Sequence, residues 1–300
     1  MPSYLITGAT GYIGGMFARF LRKARPKAEV LGIGRGKCAI EGMECLEIDL
    51  TDRAATADAV VDFSPDFIFH LAGVPYSEDW ETLLAGNVKT TISVMEAAGK
   101  CGKGRVVVVG SAAEYGRVES SDQPIKESQA LKPLSRYGIS MVCRSAITTG
   151  FASMGCDAIL GRLFNPIGPG LGEHLALGSF AKQVKAIAAG RQNAEILVGN
   201  LKAKRDFIDT EDACRAFLAI AEKGRGGECY NICSGRSYAL SSLLDMMLDV
   251  TDIEAEIRVD GGRIRKGEAS DVRGSTEKIS KDTGWKPQVP IEESVRRLLA

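Results

Sequence analysis

The stretch ITGATGYIGG, residues 6–15, constrains this chain more than any other. It follows the apolar run Tyr4–Thr7 and opens the amphipathic run Tyr12–Ala24, so Gly8, Gly11 and Gly14 fall at a strand-to-helix junction. Small residues there let the backbone approach a pyrophosphate, and the free N–H groups at the helix start face its charge. With Tyr12 and Ile13, these glycines form a candidate dinucleotide loop.

The rhythm that follows extends the same unit. Short apolar runs, YLIT, EVLGIG, CLEI, DFIFHLA, RVVVVGS and DAILGRL, alternate with helical patterns such as YIGGMFARFLRKA and ETLLAGNVKTTISVMEAAGK. That alternation predicts an α/β fold with a doubly wound, parallel Rossmann-type sheet. RVVVVGS is apolar throughout, as a central strand buried on both faces requires. After Pro166 the pattern changes to a Gly/Pro loop and mixed short elements, with a helix near Ser179–Ala189, a strand at EILVG and a helix running through RDFIDTEDACRAFLAIAEK. The expected organisation is a dinucleotide-binding domain over 1–165, rejoined by a segment at about 204–225. Residues 166–203 and 226–300 would form a smaller, mixed α/β C-terminal substrate lobe.

Charge excludes several partner classes. Lys plus Arg and Asp plus Glu both number 38 in 300 residues, so the chain lacks the net field that favours nucleic acid or an anionic membrane. An anionic ligand must be held by local groups. No apolar run approaches membrane-spanning length and no leader precedes the first strand, so the expected location is cytoplasmic. The eight cysteines lack paired zinc-site spacing and read as free thiols, and with two histidines no metal site is expected.

The second strand ends GIGRGK, where an NAD site usually carries a carboxylate for the ribose hydroxyl; Arg35 and Lys37 offer positive charge instead. NADP(H) is therefore the expected cofactor, with Arg35 against the 2′-phosphate, and NAD stays open. Asp49 and Leu50 in EIDLTD could meet the adenine. Leu71, Ala72 and Gly73 of HLAG come close to the pyrophosphate side.

These motifs, together with GSAAEYG, YGISM, FNPIGPG, RDFIDTED, YNICSG and GWKP, resemble the extended short-chain dehydrogenase/reductase family over essentially the whole chain. Within it, GNLKAKRDFIDTED and CYNICSG are most similar to GDP-4-keto-6-deoxy-D-mannose reductases. The resemblance implies that Ser111 hydrogen-bonds the reacting oxygen and that Tyr137 moves its proton. Four residues further on, where the family has a lysine that binds the nicotinamide ribose and lowers the tyrosine pKa, stands Met141. Tyr115 is a second tyrosine nearby, with packing as its alternative role.

The missing lysine does not weigh equally on both directions of chemistry. Residues 137 and 141 share a helix face. A cation about 4 Å from the phenol, at an effective dielectric near 20, would be worth about 4 kcal/mol. Without it, oxidation suffers first, because it needs the phenolate; ketone reduction needs the protonated phenol. Epimerases and dehydratases begin by oxidation. The acidic residue that family dehydratases carry two places after the Ser is here Ala113, with Glu114 one place beyond. Met141 reads either as an introduced replacement or as a natural feature of a weakened or repurposed site. Arg144, a turn further on, either lends charge or faces solvent. The leading reading is NADP(H)-dependent reduction of a 4-keto-6-deoxy sugar on a nucleoside diphosphate, GDP first. A nucleotide-sugar 4-epimerase and a catalytically silent dinucleotide and nucleotide-sugar binding protein are the alternatives.

On the substrate side the resemblance implies that Asn165, Arg205, Arg265 and Glu268 hold the nucleoside diphosphate, arginine suiting it through its planar fork. Lys182 and Lys185, on a helix near the expected nucleotide pocket, are further candidate phosphate partners. Asp206, Asp209, Glu211 and Asp212 sit at a helix start and read as caps rather than metal ligands. A homodimer through a four-helix interface that includes the helix from Ser135 is also implied.

Overall fold

The computed structural model describes residues 1–36, 40–263 and 271–300. Its centre is a sheet of seven parallel strands. The chain runs β1 (Ser3–Thr7), α1 (Tyr12–Ala24), β2 (Glu29–Gly34), β3 (Glu44–Glu47), α2 (Arg53–Phe63) and β4 (Phe67–His70). It continues through α3 (Trp80–Leu83), one π-helical turn (Leu84–Lys89), α4 (Thr90–Cys101), β5 (Arg105–Ser111), α5 (Arg136–Ser153) and β6 (Ala158–Leu163).

Strand alternation sends side chains into two core layers. Tyr4 and Ile6 pack with Phe17 and Leu21 of α1 on one face, while Leu5 packs with Val60 of α2 and Val94 of α4 on the other. Val106, Val107 and Val108 are all fully buried, which explains the unbroken apolar run of β5.

The remaining elements are β7 (Asn165–Ile167), α6 (Ala176–Ala188), β8 (Glu195–Val198), β9 (Lys204–Asp209), α7 (Thr210–Lys223), β10 (Cys229–Ile232), β11 (Ser237–Ala239) and α8 (Leu240–Thr251). β12 (Glu256–Val259), β13 (Asp271–Val272), α9 (Glu277–Thr283) and α10 (Ile291–Leu299) complete the chain. The sheet order β10-β6-β5-β4-β1-β2-β3 reverses direction between β1 and β4, and ligands of such sheets bind beyond the strand ends at that switch. A second sheet sets β7, β11 and β13 around β9, and β8 pairs with β12. α6, α8 and α10 enclose a separate apolar core with Ile167, Val198 and Phe207.

Three details differ from the sequence reading. The segment from Arg205 does not start as a helix, because Asp209 is the N-cap of α7 and Lys204–Asp209 lies in the second sheet. The seventh central strand is β10, beyond the returning segment drawn at about 204–225; four residues are too few to stand out as a pattern. Cys45 is disulfide-bonded rather than a free thiol. Among the described residues no helix is long and apolar enough to cross a membrane.

The glycine loop is built by backbone contact. Gly8 has φ +73°, and a Cβ there would lie 2.6 Å from Ala72 Cα; one on Gly14 would lie 2.0 Å from the Gly8 carbonyl oxygen. Gly14→Ala must therefore displace α1 from the loop and is expected to lower stability by about 1–3 kcal/mol. Gly99→Ala, near the end of α4 with nothing within 4 Å of the added carbon, is expected to raise it by about 0.5–1 kcal/mol. Urea unfolding of the two variants should give shifts of opposite sign.

Candidate active site

The dinucleotide loop, the HLAG segment and the end of β5 meet above the switch between β1 and β4. Gly8 N–H bonds the Ile33 carbonyl at 2.7 Å, and Gly11 N–H folds back on the Gly8 carbonyl at 2.8 Å. Gly11 caps α1 without a side chain. The cradle fits a dinucleotide pyrophosphate, since a Cβ on Gly8 or Gly14 would collide with the backbone that shapes it.

Arg35 is exposed at the end of β2. The Thr51 amide and hydroxyl hold the Asp49 carboxyl below its usual range, and Arg35 adds to the effect. Gly73 is exposed, whereas Leu50 and Leu71 are buried in opposite core layers. The Tyr12 phenol donates to the Gly168 carbonyl at 3.2 Å, joining loop and lobe, while Ile13 packs on the core.

Ser111 ends β5 and Tyr137 lies in the first turn of α5, whose N-cap Ser135 accepts from Gly138 N–H at 3.0 Å. The Ser111 hydroxyl accepts from Ala113 N–H at 3.2 Å, which leaves its own proton free to donate. Burial raises the Tyr137 phenol above its ordinary value; hydrogen bonding to Ser111 and the charge of Arg144 act in the lowering direction, and Glu114 raises it. Met141 is buried, so its thioether supplies apolar surroundings and no charge.

Glu114 does not take the dehydratase position. Residues Ala112–Glu114 form a single 3₁₀ turn closed by a capping box in which the Glu114 carboxylate accepts from Ser111 N–H at 2.7 Å. The same carboxylate accepts from Ser145 at 2.6 Å and from Arg162 Nε at 2.8 Å, deep in the core. Tyr115 is a packing residue: it is buried, donates to Asn231 at 2.6 Å and lies under the Arg162 guanidinium.

Arg144 does not face solvent; it is 1% exposed. Its Nε donates to the Asn87 carbonyl at 3.1 Å and Thr91 Oγ1 at 3.0 Å, and Nη1 donates to the Val109 carbonyl at 3.2 Å. Nη2 reaches the Ala72 carbonyl at 2.5 Å and His70 Nε2 at 3.2 Å. The other His70 nitrogen, Nδ1, lies 2.7 Å from Thr7 Oγ1, and Nε2 also lies 3.0 Å from Thr91 Oγ1. Burial, and secondarily Arg144, pull the His70 pKa well down, so His70 stays neutral.

On the substrate side, the Asn165 amide donates to the Asp206 carbonyl at 2.8 Å. Arg205 is half-buried on β9 and donates to the Lys204 carbonyl. Lys182 is exposed on α6 and pairs with Glu173 at 2.5 Å. Arg265, Glu268 and Lys37 lie outside the described residues. Of the four acids, Asp209 caps α7 as expected. Asp212 instead accepts from Gln288 and Val289 N–H, tying down the C-terminal segment. Asp206 accepts from Ser234 N–H and hydroxyl and from Gly235 and Gly274 N–H.

Sequence reasoning missed three supports. Asn87 clamps Val74 through both its amide groups, His70 links β4 to α4, and Glu114 pairs with Arg162. None carries a local signal, because each is defined by partners far away in the chain.

With this geometry, a dinucleotide loop at the switch point and a Ser–Tyr pair beside it, the protein is of the Rossmann-type class built on a parallel central sheet. A family model described as the NAD dependent epimerase/dehydratase family matches residues 4–233, and the chain belongs to that family. The GDP-6-deoxy-D-mannose reductase of Pseudomonas aeruginosa is 28% identical, the match covering 98% of this chain and 95% of that protein. The structure of RMD from Pseudomonas aeruginosa complexed with NADPH superposes with a TM-score of 0.87 at 28% identity, covering 100% of this chain and 98% of that one. The UDP-glucose 4-epimerase of Thermotoga maritima with UDP-glucose shares the fold, with a TM-score of 0.89 at 23% identity over 99% of this chain and 97% of that one.

Asp206 generates a pH prediction. Burial raises its carboxyl from 3.8 to about 6, against the lowering effect of its four hydrogen bonds. A folded-state pKa above the unfolded one gives a stabilising contribution that is complete below about pH 4 and lost as pH rises through about 6. Relative to Asp206→Asn, the wild type should therefore lose on the order of 2–3 kcal/mol between pH 4 and pH 7. Denaturant unfolding of both proteins at each pH measures this; parallel curves would exclude the raised carboxyl.

Proposed function

We propose that this protein is an NADP(H)-dependent reductase of a 4-keto-6-deoxy sugar carried on a nucleoside diphosphate, of the type that converts GDP-4-keto-6-deoxy-D-mannose to GDP-D-rhamnose. The observation that carries the reading is the state of Tyr137. A phenol raised above 10 is protonated at neutral pH, which is the form a ketone reduction consumes and the wrong form for abstracting a proton from an alcohol. That asymmetry disfavours epimerisation and dehydration, both of which start with oxidation, and Ala113 removes the carboxylate an elimination would use.

Gly8, Gly11 and Gly14 would hold the pyrophosphate and Arg35 the 2′-phosphate. When bound, NADPH supplies the hydride for the ketone carbon. Ser111 donates a hydrogen bond to the ketone oxygen, and Tyr137 delivers the proton that turns it into a hydroxyl. The unit built on β9, with Arg205 on that strand and Asn165 on the neighbouring β7, would take the nucleotide sugar. Support for a guanosine diphosphate carrier comes from the substrate named for the Pseudomonas aeruginosa relative. We also infer a homodimer through the outer face of α5, where Ile139 is 40% exposed and Ala146 and Gly150 are open to solvent.

The test is NADPH oxidation in the presence of GDP-4-keto-6-deoxy-D-mannose. Turnover is expected, with Tyr137→Phe lowering kcat about 10²–10⁴-fold while NADPH binding persists. Binding of NADPH and sugar without oxidation would contradict the reading. Scattering from the same preparation should give a dimer mass; a monomer mass would contradict the interface.

A further inference from the structure

We propose that Arg144 is a positioning residue for Tyr137: its guanidinium is the fixed positive charge beside which the phenolate left by proton donation forms, replacing a cation at position 141. The chemical consequence rests on the reductase reading; the geometry does not.

Tyr137, Met141 and Arg144 share one face of α5. Arg144 lies three residues, or about 4.5 Å of helix rise, beyond Met141. Helical side chains lean toward the N-terminus, so a long side chain at 144 returns over the turn that carries Met141. Its contacts show where it arrives. The guanidinium bonds the carbonyls of Ala72 and Val109, at the ends of the strands leading to HLAG and to Ser111. A Cβ placed on exposed Gly73 would lie 3.3 Å from Nη1, so the charge sits one atomic layer beneath the floor of the cleft. Buried Met141 beside it is apolar, which keeps the field of that charge unscreened.

The hydrogen bonds alone do not account for an arginine. All five acceptors are neutral: three carbonyls, one hydroxyl and one imidazole. A buried cation without an anion is costly. Arg162, the other largely buried arginine nearby, has Glu114 at 2.8 Å. The titratable group in contact with Arg144 is His70 from β4, and the other groups whose charge acts on it are Tyr137 on its own helix and Glu114 from the turn after β5. His70 is neutral and Glu114 is already paired with Arg162, which leaves the Tyr137 phenol as the group able to become its counter-charge. Burial lowers the guanidinium pKa to about 10, and it remains charged at neutral pH.

The experiment titrates a ring-fluorinated tyrosine at position 137 by fluorine NMR, without cofactor or substrate, so its outcome is independent of the reductase assay. Arg144→Met should raise the phenol midpoint by about one pH unit or more, a tenfold loss of acidity. Arg144→Lys should keep most of the native acidity, and adding Met141→Lys to Arg144→Met should bring the midpoint back down. A structural role alone would lower the unfolding midpoint and leave the phenol midpoint unmoved, and that result would overturn the proposal. If Arg144→Met does not fold, the same comparison is made in the Met141→Lys background, which retains a buried cation. Loss of Arg144 there should raise the midpoint by a similar amount, and equal midpoints would overturn the proposal equally.

Discussion

Four segments of this protein converge on one buried guanidinium. Arg144 bonds the segment leaving β4, β5 near its end, the π-helical turn before α4 and, through Thr91, α4 itself. Those segments carry HLAG, Ser111 and the helix supporting Tyr137, so the cleft takes its shape from carbonyls oriented around a single cation. A π-turn is the local adjustment that lets Asn87 clamp Val74 while its carbonyl reaches the arginine.

The two buried arginines of this region divide the work. Arg162 is balanced by Glu114, and the pair closes the turn after Ser111 and reaches Tyr115 and, through it, Asn231 on β10. Such a balanced pair fixes geometry and contributes little field at a distance. Arg144 is unbalanced, and its field falls on the phenol two turns back along the same helix. A site with methionine at position 141 can in this way keep a cation under the cleft, delivered from the next turn.

Much of the fold was legible because it depends on local repetition. Six strands of the central sheet and α1 follow directly from apolar periodicity, and the glycine spacing located the loop whose backbone contacts at Gly8 and Gly14 forbid a side chain. β10 was missed because a four-residue edge strand has no period of its own, and β9 was read as helix because the capping acids around Asp209 dominated the pattern. Ser111 and Tyr137 were singled out by their motifs, and the two side chains interact in the structure. The environment of Arg144 could not be read, because whether an arginine at an interior helix position points into the core or into water depends on carbonyls some 35 to 72 residues away.

The most direct test of the account follows the hydrogen that is transferred. NADPH deuterated at its transferable position is mixed with GDP-4-keto-6-deoxy-D-mannose, and the product sugar is examined at C4. The account predicts one deuterium at C4 for each NADPH oxidised, with the label absent from the Tyr137→Phe reaction to the extent that turnover is lost. A product changed at C4 while the deuterium stays on the cofactor, or no C4 label although both ligands bind, would contradict it.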